Sequence, residues 1–542
     1  MAHARTIIRR SAPERPARPR CELLQGYLKV FAAMRALRPL LSTVLLVTSV
    51  VIASGCAVGP RYRQPAAPAN PGYTPTSLPD ASASAPVHGG NAQRFINGGD
   101  LPFEWWELFE SPAVDALVER AFKANPTVPA AQAALAQAEE MVRAQRGFYY
   151  PTVAAGLQAE RVKVAGNLTQ EASLGIQGNG DNLSQPPAPA SPLYYQFYTA
   201  GLSVGFVPDV FGANRRQVEL LAAQTDVQRF ALEATYITLA SNVVGAAIQE
   251  ASLRAQIEAT QRIIAADEKS LEILRQQFRL GFAMRIDVAA QEAALAQAEA
   301  TLPPLQKQLE QTRDLIRALT GSLPNQDISE TVALDALQLP AELPLSLPAK
   351  LVEQRPDVRA AEAQLRAANA QVGVAVAAML PQFSISGTLG GNADQIPWLF
   401  RGGGAFWTAV GGVNQPIFEG GTLLHTKRAA SAALRQAAAQ YQSAVMTAYQ
   451  NVADTLHASL SDADELAGAV ESETAAKVAY DLTRQQLQSG YVSYLVLLNA
   501  ETTYQQALVT RVQAQATRYG DTVALFQALG GGWWNRQAVA AR

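Results

Sequence analysis

Residues 406–450 read FWTAVGGVNQPIFEGGTLLHTKRAASAALRQAAAQYQSAVMTAYQ, and two structural periods meet inside them. Residues 406–415 are the length of a membrane-crossing strand, although their alternation of apolar and polar side chains is imperfect. Proline ends the strand text at Pro416, and Gly420-Gly421 lets the backbone turn. No proline follows to the end of the chain. Residues 421–488 therefore predict one helix, and at about 1.5 Å per residue it is on the order of 100 Å long. A single globular core is not that wide.

The apolar residues of this helix form narrow seams. Leu434, Tyr441 and Ala448 recur every seven residues, as do Ala438, Val445 and Val452, while Arg435, Gln436, Gln442 and Gln450 fall between them. That spacing makes coiled-coil contacts with neighbours on two sides and leaves two faces wet, which suits the wall of a water-filled tube. An isolated coiled coil would explain the seams equally well, but not the strands before them.

The pattern is written twice. Pro126 and Pro151 recur as Pro356 and Pro381, with AAQAALAQA at 130–138 answered by AAEAQLRAA at 360–368. RQQFRLGF at 275–282 returns as RQQLQSGY at 484–491, and the halves close on RALTG and QALGG. This predicts one structural unit duplicated: a first repeat over 103–321, an equatorial linker over 322–350, a second repeat over 351–531, and a tail over 532–542.

Each repeat carries strand text ahead of its long helix. Val153, Ala155, Leu157 and Ala159 alternate with polar or small residues after Pro151, as do Phe383, Ile385 and Leu389 after Pro381. In 198–206, Tyr198, Ala200, Leu202, Val204 and Phe206 alternate with Thr199, Gly201, Ser203 and Gly205, and Tyr194, Tyr195 and Phe197 gather at one end like an interfacial girdle. Loops 166–192 and 390–404, rich in Gly, Asn and Pro, belong on the cell exterior in such a barrel. A soluble β-hairpin is the competing reading; the uncharged middle of 193–207 argues against it. Pro208 with Gly212, and Pro416 with Gly420, mark the strand–helix joints. Four strands cannot close a membrane barrel, and an open edge in lipid leaves backbone groups unpaired at several kcal/mol each. Closure demands further copies, and three would supply twelve strands.

Composition agrees. Of 542 residues, 48% are hydrophobic but only 7% aromatic, which suits close-packed helices. The net charge is −2, and residues 1–55 carry nine Lys/Arg against Glu14 and Glu22, so the remainder is acidic. That argues against nucleic acid as a partner. Residues 39–55 are uncharged and end in Ala53-Ser54-Gly55 before Cys56. This resembles a bacterial lipoprotein signal, with residues 1–55 removed, Cys56 lipidated, and Met34 a candidate for the true start. An N-terminal transmembrane anchor with an incidental cysteine is the alternative. Residues 56–102, dense in Pro, Ala, Ser and Gly, read as an extended tether, with Trp105, Trp106 and Phe109 packing it onto the body. One mature cysteine leaves no disulfide framework and no cysteine metal site.

Glycine interrupts helical text at Leu280-Gly281-Phe282 and at Ser489-Gly490-Tyr491, so each reads as the tip of a helical hairpin. Pro303-Pro304 lie inside the returning helix of the first hairpin and predict a bend or break near Leu302. Four histidines without metal-ligand spacing, and the absence of a P-loop or a GxSxG elbow, leave no sign of an enzyme and no cofactor.

With CAVGP at Cys56, WW at Trp105, PDVFG at Pro208, QPIFEGG at Gln415 and the two glycine hairpins in this order, the chain resembles the TolC-like outer-membrane efflux proteins of the lipoprotein subgroup (OprM/NodT-type). The resemblance implies a mixed, mainly α fold: a homotrimeric β-barrel with four strands per protomer, continuous with a helical periplasmic tunnel. It also implies that the tips dock a periplasmic membrane-fusion adaptor, that an inner-membrane transporter, RND type, drives transport, and that Leu495 and Asn499 face a periplasmic gate. The family often has Asp where this chain has Asn499, so the ring here would be neutral. Asp287, the counterpart of Val496 in the first hairpin, either supplies charge there or is an ordinary solvated residue. Three functions stay open: an exit duct for small molecules, an exit duct for type I protein secretion, and a periplasmic coiled-coil scaffold.

Overall fold

The computed structural model describes residues 57–66, 72–164, 193–401 and 403–536. Cys56, the signal stretch 1–55, the loop 165–192 and the last six residues lie outside the described residues. In chain order the elements are β1 (Arg94–Asn97), α1 (Pro112–Ala124), α2 (Thr127–Arg146), β2 (Thr152–Val164), β3 (Leu193–Phe206), α3 (Ala213–Arg279), α4 (Arg285–Leu319), β4 (Glu342–Leu345), α5 (Pro348–Gln354), α6 (Pro356–Ala377), β5 (Gln382–Ala393), β6 (Ala405–Asn414), α7 (Thr422–Gln488) and α8 (Tyr494–Ala528). They form two compact units that cut across the sequence halves: one of strands, Val153–Gly212 with Gln382–Asn414, and one holding almost all the helix.

The strand unit is a single sheet in the order β2-β3-β5-β6. β3 and β5 run antiparallel from Tyr198↔Ala393 to Phe206↔Ile385, and β5 and β6 from Gln382↔Asn414 to Gly391↔Ala405. Directly paired residues share a face, so Leu202, Leu389 and Trp407 form one apolar row. All three are exposed, as are Val153, Leu157, Val204, Ile385, Val410 and Val413. A sheet bathed in water would hide such a surface. β2 and β6 are the edges, and neither has a further strand beside it among the described residues.

In the helical unit, α3 and α7 are each 67 residues long, as the proline-free text predicted for the second. The seam of α7 packs as its heptads require: Tyr441, Val445, Ala448 and Val452 are buried. α8 lies along α7, α4 along α3, and α6 between α3 and α7. One stretch of α3 is apolar enough to cross a membrane, but 61% of it is buried against its neighbours, which makes it core. The largest core gathers Trp105, Phe109, Tyr519 and Phe526; the Trp105 and Phe526 rings are 5.6 Å apart. The aromatics expected to pack the N-terminal segment onto the body do so.

Two expectations are corrected. α4 continues unbroken through Pro303 and Pro304, so of the bend or break expected near Leu302 the break does not occur. Each proline forfeits one backbone hydrogen bond, but Val288 and Gln291 before them and Ile316 after them are buried, and packing on α3 holds both ends of the rod. The segment 56–102 is not an unpacked tether over its second half. β1 pairs in parallel with β4, Arg94 opposite Glu342, and the Gln93 side chain donates to the Pro340 carbonyl at 3.1 Å. β4 lies in the 322–350 segment, far along the chain, so no local pattern could announce this pairing.

Candidate functional site: the hairpin tips and the polar joint behind them

Both glycine turns close in the same way. At the α3–α4 turn the Phe282 N–H donates to the Gln277 carbonyl at 2.8 Å and the Gly281 N–H to Phe278 at 3.0 Å. At the α7–α8 turn the Tyr491 N–H donates to Gln486 at 2.9 Å and the Gly490 N–H to Leu487 at 3.0 Å. The glycines carry φ of +79° and +76°, the left-handed conformation that ends a helix without a Cβ penalty. Open space surrounds both, so backbone conformation alone demands glycine there. The turns present Leu280, Phe282 and Tyr491 to solvent, the last two more than 80% exposed. Ser489 caps its own helix through a hydroxyl donating to the Gln485 carbonyl at 3.1 Å. Asp287 accepts the Met284 N–H at 3.1 Å and so starts α4, which favours the structural reading of that residue.

Behind the tips lies a polar joint that sequence reasoning missed. The Gln291 amide on α4 donates to the Asp267 carboxylate on α3 at 3.0 Å and to its carbonyl at 3.2 Å, and accepts the Tyr494 hydroxyl of α8 at 2.7 Å. Gln291 is wholly buried, and Asp267 and Glu501 nearly so. Burial pushes the Glu501 carboxyl up to about 7, with the Asp267 charge adding to the effect. Burial also raises Asp267, against the bond from Gln291. A signal was present: Asp267 stands four and seven residues before the buried Leu271 and Leu274, and Glu501 four after the buried Leu497. A carboxylate on a seam register marks a buried charge in need of a partner.

Leu495 and Asn499 are both exposed on α8. Asn499 lines a concavity of about 620 Å³ with Ser472, Thr502, Thr503, Gln506 and Thr510, a hydroxyl- and amide-rich face without a charged side chain. At the joints, Gly212 has φ +76°, and a Cβ there would meet Ala57 at 2.8 Å. Gly420 has φ +59°. Pro208 accepts the Val210 N–H at 3.0 Å, and the Pro416 carbonyl accepts the Gln415 side chain at 2.8 Å. Among the described residues no group of three His, Cys, Asp or Glu is placed to hold a metal.

Strand pairs with exposed apolar rows, each running by chain into a 67-residue helix of a hairpin, are the build of an outer-membrane channel protein. The sequence profile of the outer membrane efflux protein family matches residues 117–322 and 347–531. The chain belongs to that family, and it is an outer-membrane protein of efflux. It is 27% identical to the toluene efflux pump outer membrane protein TtgC of Pseudomonas putida over 92% of this chain and 97% of the relative. It is 26% identical to the pyoverdine export outer membrane protein OpmQ, also of Pseudomonas putida, over 84% and 94%. The solved outer-membrane channel OprN superposes with a TM-score of 0.75 at 26% identity, over 88% of this chain and all of the other.

Proposed function

We propose that the chain is the exit duct of a tripartite efflux pump, conducting small toxic molecules passively from a periplasmic adaptor and an inner-membrane transporter of the RND type to the exterior. In this reading three copies close twelve strands into a barrel and their hairpins into a tunnel, Cys56 carries the lipid anchor, and the tips Leu280–Phe282 and Ser489–Tyr491 meet the adaptor. The protein supplies a path and no chemistry. The observation that carries the proposal is the four-stranded sheet whose two edges have no further strand among the described residues, with exposed apolar rows, which neither water nor lipid tolerates in a single copy. Relatives named for toluene efflux and for pyoverdine export support small-molecule cargo over protein. Purified protein in planar bilayers is expected to conduct, which a periplasmic scaffold would not do. Deleting the gene is expected to raise accumulation of hydrophobic toxicants while secreted proteins are unchanged; the reverse pattern would favour type I secretion.

Two further results are expected. Replacing Phe282 and Tyr491 by aspartate removes the apolar contact of both tips, at about 2 kcal/mol or roughly thirtyfold in adaptor affinity for a central contact residue. Efflux should fall while bilayer conductance persists; efflux at the parental level in the double variant would place the adaptor elsewhere. Asn499→Asp would put three carboxylates where the chain now carries amides, and the cation-over-anion permeability ratio should rise several-fold. A ratio unchanged by the substitution would remove Asn499 from the narrowest part of the path.

A further inference from the structure

Two short segments flank the open edges of the sheet in sequence. Residues 148–150 run into the start of β2, and residues 415–419 leave the end of β6. Their large apolar side chains stand in solvent: Ile417 is 95% and Phe418 88% exposed, Tyr150 72% and Phe148 62%. Among the described residues no large apolar side chain is more exposed than Ile417 and Phe418. Both belong to the helical unit, not to the strand unit.

The order of the strands says what covers them. β3 and β5, and β5 and β6, are antiparallel, and the Ser203 hydroxyl near the end of β3 reaches the Ala154 carbonyl near the start of β2. The start of β2 and the end of β6 thus lie at the same end of the sheet, on opposite edges. When β6 of one copy pairs with β2 of the next, the antiparallel alternation continues around the ring. The chain leaving Asn414 then runs beside the chain entering Thr152 of the neighbour, at a spacing of about 4.8 Å set by strand pairing. Charge agrees with this apposition. Exposed Glu419 follows Phe418 on one segment, and exposed Arg146 precedes Phe148 on the other.

We infer that Ile417 and Phe418 of one copy close over Phe148 and Tyr150 of the next, an apolar clasp that extends each barrel seam beyond its last strand pair. This rests on the cyclic assembly proposed above. It assigns the exposed QPIFE segment to a second copy of this chain, not to lipid. The contact is heterologous, one patch meeting a different patch, and such contacts close into rings.

The full-length chain in native outer membrane tests it. Cys21 and Cys56 are the only cysteines of the sequence, so introduced thiols meet no competitor in the described body. Phe418→Cys with Tyr150→Cys, and independently Ile417→Cys with Phe148→Cys, are oxidised and run on denaturing gels, while native mass of the detergent-extracted protein counts copies. Covalent dimers and trimers from at least one pair, none from single variants, and a mass of three copies are expected. Phe418→Ser with Ile417→Ser should lose the heat resistance of the trimer. A mass of three copies with no link from either pair overturns the clasp and leaves the assembly standing, whereas a mass of one copy overturns the assembly itself. A nitroxide at Phe418→Cys relaxed by lipid-dissolved oxygen rather than by an aqueous nickel complex would give the segment to lipid and overturn the clasp.

Discussion

Arg518→Ala is expected to destabilise the protein by about 3–5 kcal/mol, the cost of removing one member of a buried charged network. Arg518 sits on α8 with 1% of its surface exposed. Its guanidinium donates to the carbonyls of Asn91 at 2.8 Å, Gly89 at 3.2 Å and Ala83 at 3.4 Å, and to the Ser82 hydroxyl at 3.1 Å. One planar fork therefore fastens the loop before β1 to the last long helix. It also acts on the Asp462 carboxyl. Asp462 on α7 is pushed up to about 7, first by burial and then by its neighbour Asp521, and the Arg518 charge opposes that rise. Truncation takes the guanidinium donor from the Gly89 and Asn91 carbonyls and leaves Asp462 without its cation. Arg518→Met, which keeps the bulk, should recover little, and Arg518→Lys only part, because an ammonium cannot reach acceptors spread around a plane. Thermal melting followed by circular dichroism reads the loss, and limited proteolysis near residues 82–91 reads its place. A melting point unchanged in Arg518→Ala would mean the loop is held by β1 alone.

The second large effect is one of pH at the joint behind the tips. Glu501 has a carboxyl near 7 in the folded protein against an ordinary value of 4.5, raised by burial and then by Asp267. The folded state therefore holds a proton that the unfolded state has released over that window. The stabilisation from protonated Glu501 is complete below about pH 4.5 and is lost as pH rises toward 7, with a slope of at most about 1.4 kcal/mol per pH unit. The groups acting with it are Asp267 from α3, Tyr494 of its own helix, which donates to the neutral Gln291 of α4, and Tyr480 of α7, whose ring lies 5.8 Å from the Arg484 cation. Asp267 is the charge nearest in effect, and it repels. Raising pH from about 5 to about 7.5 should speed hydrogen exchange across α4 and the start of α8 and raise the open probability in bilayers. Glu501→Gln keeps the shape and cannot ionise, so both pH responses should flatten. An identical slope in wild type and Glu501→Gln would assign the response to another group.

The difference between the two networks explains what could be read in advance. Heptads in α7, alternation in β3 and β5, and glycines at 281 and 490 depend on neighbours a few residues away, so periodicity alone located the helices, the strands and the turns. The Schellman caps at both turns needed only the glycines. The joint Asp267–Gln291–Tyr494–Glu501 draws on three helices and the Arg518 pin on residues more than 400 positions distant, and pairing over such separations leaves no local trace beyond a charge on an apolar seam. Pro303-Pro304 show the opposite case, a break expected from local text that does not occur. Their local preference is real, but tertiary packing on α3 outweighs two missing hydrogen bonds.

The sequence by itself determined the length of α7, the four strands of the large sheet and the exposed glycine tips, because these follow from side-chain period and from the few conformations glycine and proline allow. Only the tertiary structure decided which strands pair in the order β2-β3-β5-β6, that the N-terminal segment adds a strand beside β4, and which carboxylates are taken out of water. Those outcomes arise from burial and from the satisfaction of backbone groups across distant parts of the chain, which become neighbours only once it has folded.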